Sequence, residues 1–182
     1  MISAQHLSTH RLLLRTWRSE DFAPFAAMNA DGKVMEHFPA TLSLEESATL
    51  IGRIGASFET HGYGLWAVEV RGEASFIGFV GLAQVDPALP FAPAVEVGWR
   101  LARAYWSRGF ATEAALAVVD FGFEQHKLEE IVSFTSTGNL RSRRVMERIG
   151  MRRDSDDDFD HPLLAEGDEL RAHVLYRLSR KH

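Results

Sequence analysis

The chain has 182 residues, 46% of them apolar, which suits one domain on a single core; its formal net charge of −5 argues against nucleic acid as the main partner and suits a cationic substrate. It contains no cysteine, so disulfides, thiolate metal ligands and a thiol nucleophile are excluded. No apolar run approaches the ~20 residues of a membrane span, and Met1-Ile-Ser-Ala-Gln-His lacks a basic start followed by an apolar core, so the expectation is a soluble, cytoplasmic protein.

Residues 1–10 and 179–182 read as loose tails on one domain spanning 1–182. Leu12, Leu13, Leu14 and Trp17 suggest a first strand. Ser19 or Asp21 is placed to cap a short helix through Asn29, with Pro24 in its first turn, and a loop follows from Asp31 to Thr41. Ser43-Leu-Glu-Glu46 is a capping-box pattern, after which Leu44, Ala48, Ile51, Gly55 and Phe58 trace one helical face. Two β-rich runs, Tyr63–Val70 and Ser75–Leu82, flank the hairpin signal Arg71-Gly-Glu-Ala, and Trp66 is a core candidate. Three prolines between Asp86 and Pro93 predict a stiff loop.

The chain is organised around Ala94 to Ala117. Val95, Val97, Trp99 and Leu101 alternate with Glu96, Gly98 and Arg100, the period-two pattern of a strand with two different faces. Arg103 to Gly109 breaks it, and from Phe110 apolar residues recur at helical steps. A helix opening on a glycine turn leaves outward-pointing N–H groups that, with the helix dipole, suit a phosphate, and Arg100, Arg103 and Arg108 lie close in sequence. Neither G-x-G-x-x-G nor G-x-x-x-x-G-K-[ST] occurs, which argues against Rossmann and P-loop sites. Glu130–Thr135 then reads as a buried strand, Asn139–Ile149 as a helix stopped by Gly150, and Leu170, Ala172, Val174, Tyr176 and Leu178 as a closing strand.

The turn Trp106-Ser107-Arg108-Gly109-Phe110-Ala111-Thr112 resembles the pyrophosphate turn of the GNAT acyltransferases, with Trp at its first position. Tyr-Trp-x-x-Gly-Phe-Ala-Thr-Glu-Ala, the preceding Glu96-Val-Gly-Trp, the opening Thr9-x-Arg-Leu-Leu-Leu-Arg, and Asn139-x-x-Ser142 with its later Glu-x-x-Gly-Met are similar to the RimJ/RimL-like branch. The resemblance covers Arg11 to Leu178 and implies an α/β (α+β) GNAT fold, a mixed central sheet of about seven strands flanked by about four helices. It also implies acetyl-CoA as acyl donor, no metal, and direct transfer of acetyl to an amine, either a protein N-terminal α-amine or a small amine. The alternative is a non-catalytic acyl-CoA-binding regulatory module of the same fold.

By resemblance, the backbone of Val97, Gly98, Trp99, Arg100 and Leu101 holds the pantetheine arm where the strand splays at a bulge. Arg103 and Trp106 to Thr112 cradle the pyrophosphate, with Asn139 and Arg144 as further donor contacts. Glu96 stands where a carboxylate accepts the amine's proton, although a structural pairing with Arg100 would also explain it. Many family members place a Tyr seven residues after the Asn; here that position is Met146, and Ser142 is the candidate proton donor. Phe38, Phe159 and His161 are candidate substrate contacts, with Met35 and His37 nearby and the acidic run Asp154 to Asp160 facing a cationic amine. That run lacks EF-hand spacing and predicts no metal. His173 reads as structural, and Phe91 suggests a homodimer surface.

Overall fold

In the computed structural model, residues 6–180 are described. A short β1 (Leu7–Ser8) and β2 (Leu12–Arg15) lead through a single 3-10 turn into α1 (Phe22–Ala30) and α2 (Leu44–His61). The strands β3 (Leu65–Val70), β4 (Ala74–Gln84) and β5 (Val95–Leu101) form an antiparallel meander. After it come α3 (Phe110–Gln125), β6 (Glu130–Ser136), α4 (Leu140–Arg148), the two-residue β7 (Arg152–Arg153) and β8 (Phe159–Asp160), and β9 (Ala172–Ser179). The sheet order is β1-β2-β3-β4-β5-β6-β9-β7, with β8 also on β9, and β5–β6 is the parallel pair. The expected seven strands become nine because β1, β7 and β8 are too short for periodicity to detect. Leu7 and Ser8, expected in a loose tail, pair with Leu14 and Leu13; residues 1–5 and 181–182 lie outside the described residues.

Strand alternation sorts the core into layers. Trp66, Val68, Val80, Val97, Leu101 and Ile131 pack with Ala114, Val118 of α3 and Met146 of α4. Their neighbours Ala67 and Phe79 turn the other way, against Phe25 and Met28 of α1 and Leu50 and Ile51 of α2. Val132 and Leu175 meet Val85, Leu89 and Phe91 of the proline loop in a third cluster. Phe91 is half-buried and packs against Phe134 and Phe159, with ring centres 5.3 and 5.1 Å apart.

Two helix starts differ from expectation. Asp21 stands at the N-cap of α1 but makes no side-chain cap bond to it: it is buried, accepts from the Arg18 amide and forms a two-pronged ion pair with Arg15, at 2.7 and 2.8 Å, while Glu69 meets the same guanidinium at 3.1 Å. The network ties α1 to β2 and β3. In α2 the capping box forms as expected and Ile51 and Phe58 of the expected face pack on the core, but the fully buried positions are Ser47 and Ile54, and Leu44 is 68% exposed. Asn29 donates to the Ser47 hydroxyl at 3.1 Å, and that polar contact rotates the helix away from the face that hydropathy alone selects.

The parallel pair holds only at Glu96 and Val132, beyond which β5 and β6 diverge. The expected bulge is not in β5, whose register with β4 runs unbroken from Gly78–Leu101 to Gln84–Val95; the sheet's register shift lies between Val68 and Val70. Splaying alone therefore opens the sheet.

Candidate functional site

A cleft of about 600 Å³ occupies the opening, floored by β5 and walled by the α1–α2 loop, the starts of α3 and α4, and the loop before β9. Past Glu96 the β6-facing edge of β5 has no strand partner, so its backbone N–H and C=O groups face the cleft. A Cβ placed on Gly98 would meet no atom within 4 Å, which leaves room for a ligand against the strand.

At the donor end, Ser107 and Gly109 both adopt left-handed backbone conformations, φ 61° and 81°. They curl the chain so that α3 starts on Gly109 with no side-chain cap. The first helical amides are thus available to an anion. The indole of Trp106 donates to the Leu101 carbonyl at 2.7 Å and pins the turn to β5. Glu113, in the first turn of α3, accepts from Thr9 at 2.6 Å and from the Arg11 guanidinium at 2.7 Å, fixing the helix start against the β1–β2 corner.

The arginines are arranged differently from their sequence order. Arg108 does not line the cleft: it grips Glu73 with two bonds of 2.6 and 2.7 Å. Arg103 is exposed and also outside the lining. Arg141 pairs with Glu36 at 2.8 Å and stacks over Trp106, and Arg143 donates to the Thr137 carbonyl. Arg141 and Arg144 do line the cleft, joined by Arg148, which carries no motif of its own although a four-residue step puts it on the same helical face as Arg144.

At the centre, Glu96 lines the cleft with no hydrogen bond or ion pair reaching its carboxylate among the described residues, and burial alone pushes its pKa up to about 7. Arg100 is not its partner: that side chain donates to the Asn29 side-chain carbonyl at 2.7 Å and stacks on Phe38 and Phe79. Asn139 caps α4, accepting from the Ser142 amide at 3.2 Å and donating to the Thr135 hydroxyl at 2.9 Å, so one amide hydrogen remains for a ligand. The Ser142 side chain is half-buried in the cleft wall, and Met146 is fully buried in the core.

The remaining wall is aromatic and apolar. Phe38 and His161 line it as expected; Phe79, Phe134, Leu164, Leu170 and His173 do so without having been singled out as contacts. The rings of His161 and His173 are 4.9 Å apart, and burial lowers the pKa of each. His37 also lines the cleft, whereas Met35 is buried in the core. Phe159 is outside the lining and supports it by packing on Phe134 and His173. The acidic run is turned to other uses: Asp157 pairs with Arg177 at 2.6 Å, Asp158 with Arg153, and Asp160 with Arg171 at 3.2 Å. It therefore presents no unpaired acidic array to the cleft, and the described residues hold no cluster suited to a metal ion. The missed residues come from distant segments and carry no local motif; only the fold brings them together.

A splayed β5–β6 pair beside an uncapped α3 defines an acyl-CoA N-acyltransferase architecture, and residues 11–152 match the family model of the acetyltransferase (GNAT) domain. The chain belongs to the GNAT family and is an acetyl-CoA-dependent N-acetyltransferase. It is 29% identical over 149 residues to an uncharacterized N-acetyltransferase of Bacillus subtilis, YnaD, covering 82% of this chain and 84% of the relative. An acetyltransferase structure from Agrobacterium tumefaciens superposes with a TM-score of 0.79 at 28% identity, covering 98% of this chain and 96% of the other. RimJ of Mycobacterium smegmatis, in complex with CoA-disulfide, shares the fold with a TM-score of 0.77 at 20% identity, over 98% of this chain and 88% of that one. No described helix is long and apolar enough to cross a membrane.

Proposed function

We propose that the cleft transfers acetyl from acetyl-CoA directly to a primary amine, with Glu96 as the base, in the manner of the RimJ/RimL-like branch. The observation that carries this reading is a half-buried carboxylate, without a partner among the described residues, on the floor of the cleft where β5 leaves β6. A carboxyl near 7 accepts protons at neutral pH, and an amine with pKa of ~8 to ~10 must lose one before it can attack. The pyrophosphate lies against the amides of Gly109 to Thr112, and the pantetheine arm along the open edge of Val97 to Leu101 and the remaining Asn139 N–H.

The ammonium gives its proton to Glu96, directly or through one water. The neutral nitrogen then attacks the thioester carbonyl, whose oxygen is held by β5 backbone N–H groups while negative charge develops on it. The C–N bond forms, the C–S bond breaks, and the second proton that the nitrogen sheds on becoming an amide passes to the departing thiolate, with Ser142 as hydrogen-bond donor to the sulfur. Because a thiolate whose conjugate acid has pKa of about 8.5 leaves readily, Met146 in place of a tyrosine does not disable the reaction.

The test is thiol release from acetyl-CoA with a panel of peptides, amino acids, polyamines and aminoglycosides. Acceptor-dependent release that falls at least tenfold in Glu96→Gln, with acetyl-CoA affinity kept, supports the assignment of the base. Release unchanged in Glu96→Gln overturns it. Ser142→Ala reports separately on the proton donor.

A further inference from the structure

The acceptor half of the cleft contains a cation without an anion. Arg100 lies four residues after Glu96 on the same strand face, and each of the two is perturbed by burial alone, with neither responding to the other's charge. Its Nη1 donates to Asn29, while Nε is shielded from water and has no partner. No bond reaches Nη2 among the described residues. Phe38 and Phe79 stack on the guanidinium at 4.3 and 5.3 Å from their ring centres. What remains open to a ligand is Nη2, a charged donor suited to a carboxylate oxygen, because Nε is shut off from solvent. A buried cation left uncompensated is costly, which is why such groups collect where a ligand supplies the missing charge.

The donor's phosphates do not suit this position. Arg100 extends from the face opposite Val97 and Leu101, which pack under α3, whereas the uncapped amides lie at the start of α3. Glu96 is the only carboxylate among the described residues that line the cleft, which also takes in Arg141, Arg144 and Arg148 and three histidines whose pKa burial lowers. Such a cleft disfavours polycations.

We infer that Arg100 is a specificity residue that binds a carboxylate of the acceptor, so that the acceptor class is an amine bearing an acid group set apart from the reacting nitrogen. Four residues of strand place the Glu96 and Arg100 backbones about 13 Å apart, and both side chains reach inward from there. An acid group on the side chain of an acidic amino acid, or on the second residue of a peptide, is the acceptor chemistry this separation calls for. This inference rests on the acetyl-transfer reading above.

The experiment measures thiol release by the full chain with matched pairs differing only in the remote acid: glutamate against glutamine, and short peptides carrying Glu or Gln at the second position. Expected is a KM at least tenfold lower for the acid member of a pair, a preference that collapses to near unity in Arg100→Met and is partly retained in Arg100→Lys. Acetyl-CoA binding and the melting temperature confirm that each variant is folded; if Arg100→Met fails to fold, the wild-type comparison and the Lys variant decide. Turnover that ignores the acid group, or an acid preference surviving in Arg100→Met, overturns the inference and leaves Arg100 as a strut for the α1–α2 wall. Absence of thiol release with every acceptor overturns the acetyl-transfer reading itself and this inference with it.

Discussion

The two ends of the cleft are made of different material. The donor end is backbone: an unpaired strand edge, two left-handed residues and an uncapped helix start, all between Glu96 and Thr112. Side chains there act mainly as fasteners, with Trp106 holding Leu101 and Glu113 holding Thr9 and Arg11. The acceptor end is built from side chains of the α1–α2 loop, β4, β6, the loop before β9 and β9 itself. One end recognises a fixed cosubstrate and can be specified locally; the other must be specific, and its specificity lies in residues that meet only in three dimensions.

The largest expected effect lies where the two ends meet. Glu96→Gln lowers kcat by on the order of 10² to 10⁴, the range for loss of a positioned base. The same substitution stabilises the fold. With its carboxyl at about 7 against an ordinary 4.5, Glu96 binds its proton more tightly in the native state than in the unfolded chain. Its contribution to stability is therefore full below pH 4.5, falls as pH rises to about 7, and is lost above that. Removing the charge should raise stability at pH 8 by roughly 1–3 kcal/mol and change nothing at pH 4, read by denaturant melts at both values. In the wild type kcat/KM rises with pH through about 7, and that limb is absent in Glu96→Gln.

Next in size is the anchoring of the acceptor wall. Asp21→Ala leaves the buried Arg15 facing only Glu69 and should cost about 3–5 kcal/mol in urea unfolding. A loss under about 1 kcal/mol would mean that water or Glu69 compensates the exposed charge.

The same division explains what could be read in advance. The central strand, the glycine turn, α3 and the Asn139 cap were legible because each is a local pattern whose chemistry resides in backbone geometry. The orientation of α2 was legible only in part: Ile51 and Phe58 face the core, but Ser47 turns inward for Asn29, eighteen residues before it, and hydropathy ranks a serine as outward. The acidic run also misled. A sequence shows five carboxylates within seven residues but not Arg153, Arg171 and Arg177 folding back to pair with three of them. Arg100 and Asn29, 71 residues apart, share no pattern at all.

Gly109→Val probes the donor end from its backbone. A β-branched residue at φ 81° costs roughly 1–2 kcal/mol, and its Cβ would lie 3.4 Å from Arg11 Nη2, so the turn should open. Acetyl-CoA KM is expected to rise by about tenfold, with kcat and the acceptor KM nearly unchanged. An equal rise in both KM values would show that the two ends are mechanically coupled.

The smallest effect is expected at Arg108, which sequence alone makes the most inviting phosphate ligand because it sits inside the turn. Its guanidinium is held by both oxygens of Glu73 and lies over Phe110, and meeting a phosphate would require breaking those contacts. Exposed pairs of this kind contribute about 0–1 kcal/mol, so Arg108→Ala should change acetyl-CoA KM less than about threefold. Arg144 and Arg148 line the cleft from one face of α4 without ion-pair partners among the described residues, and should supply the charge instead. The double substitution Arg144→Ala with Arg148→Ala should raise that KM more than Arg108→Ala does and flatten its dependence on salt. If Arg108→Ala proves the stronger, the glycine turn holds its ligand through a side chain of its own, and its reading as a cradle of backbone amides fails.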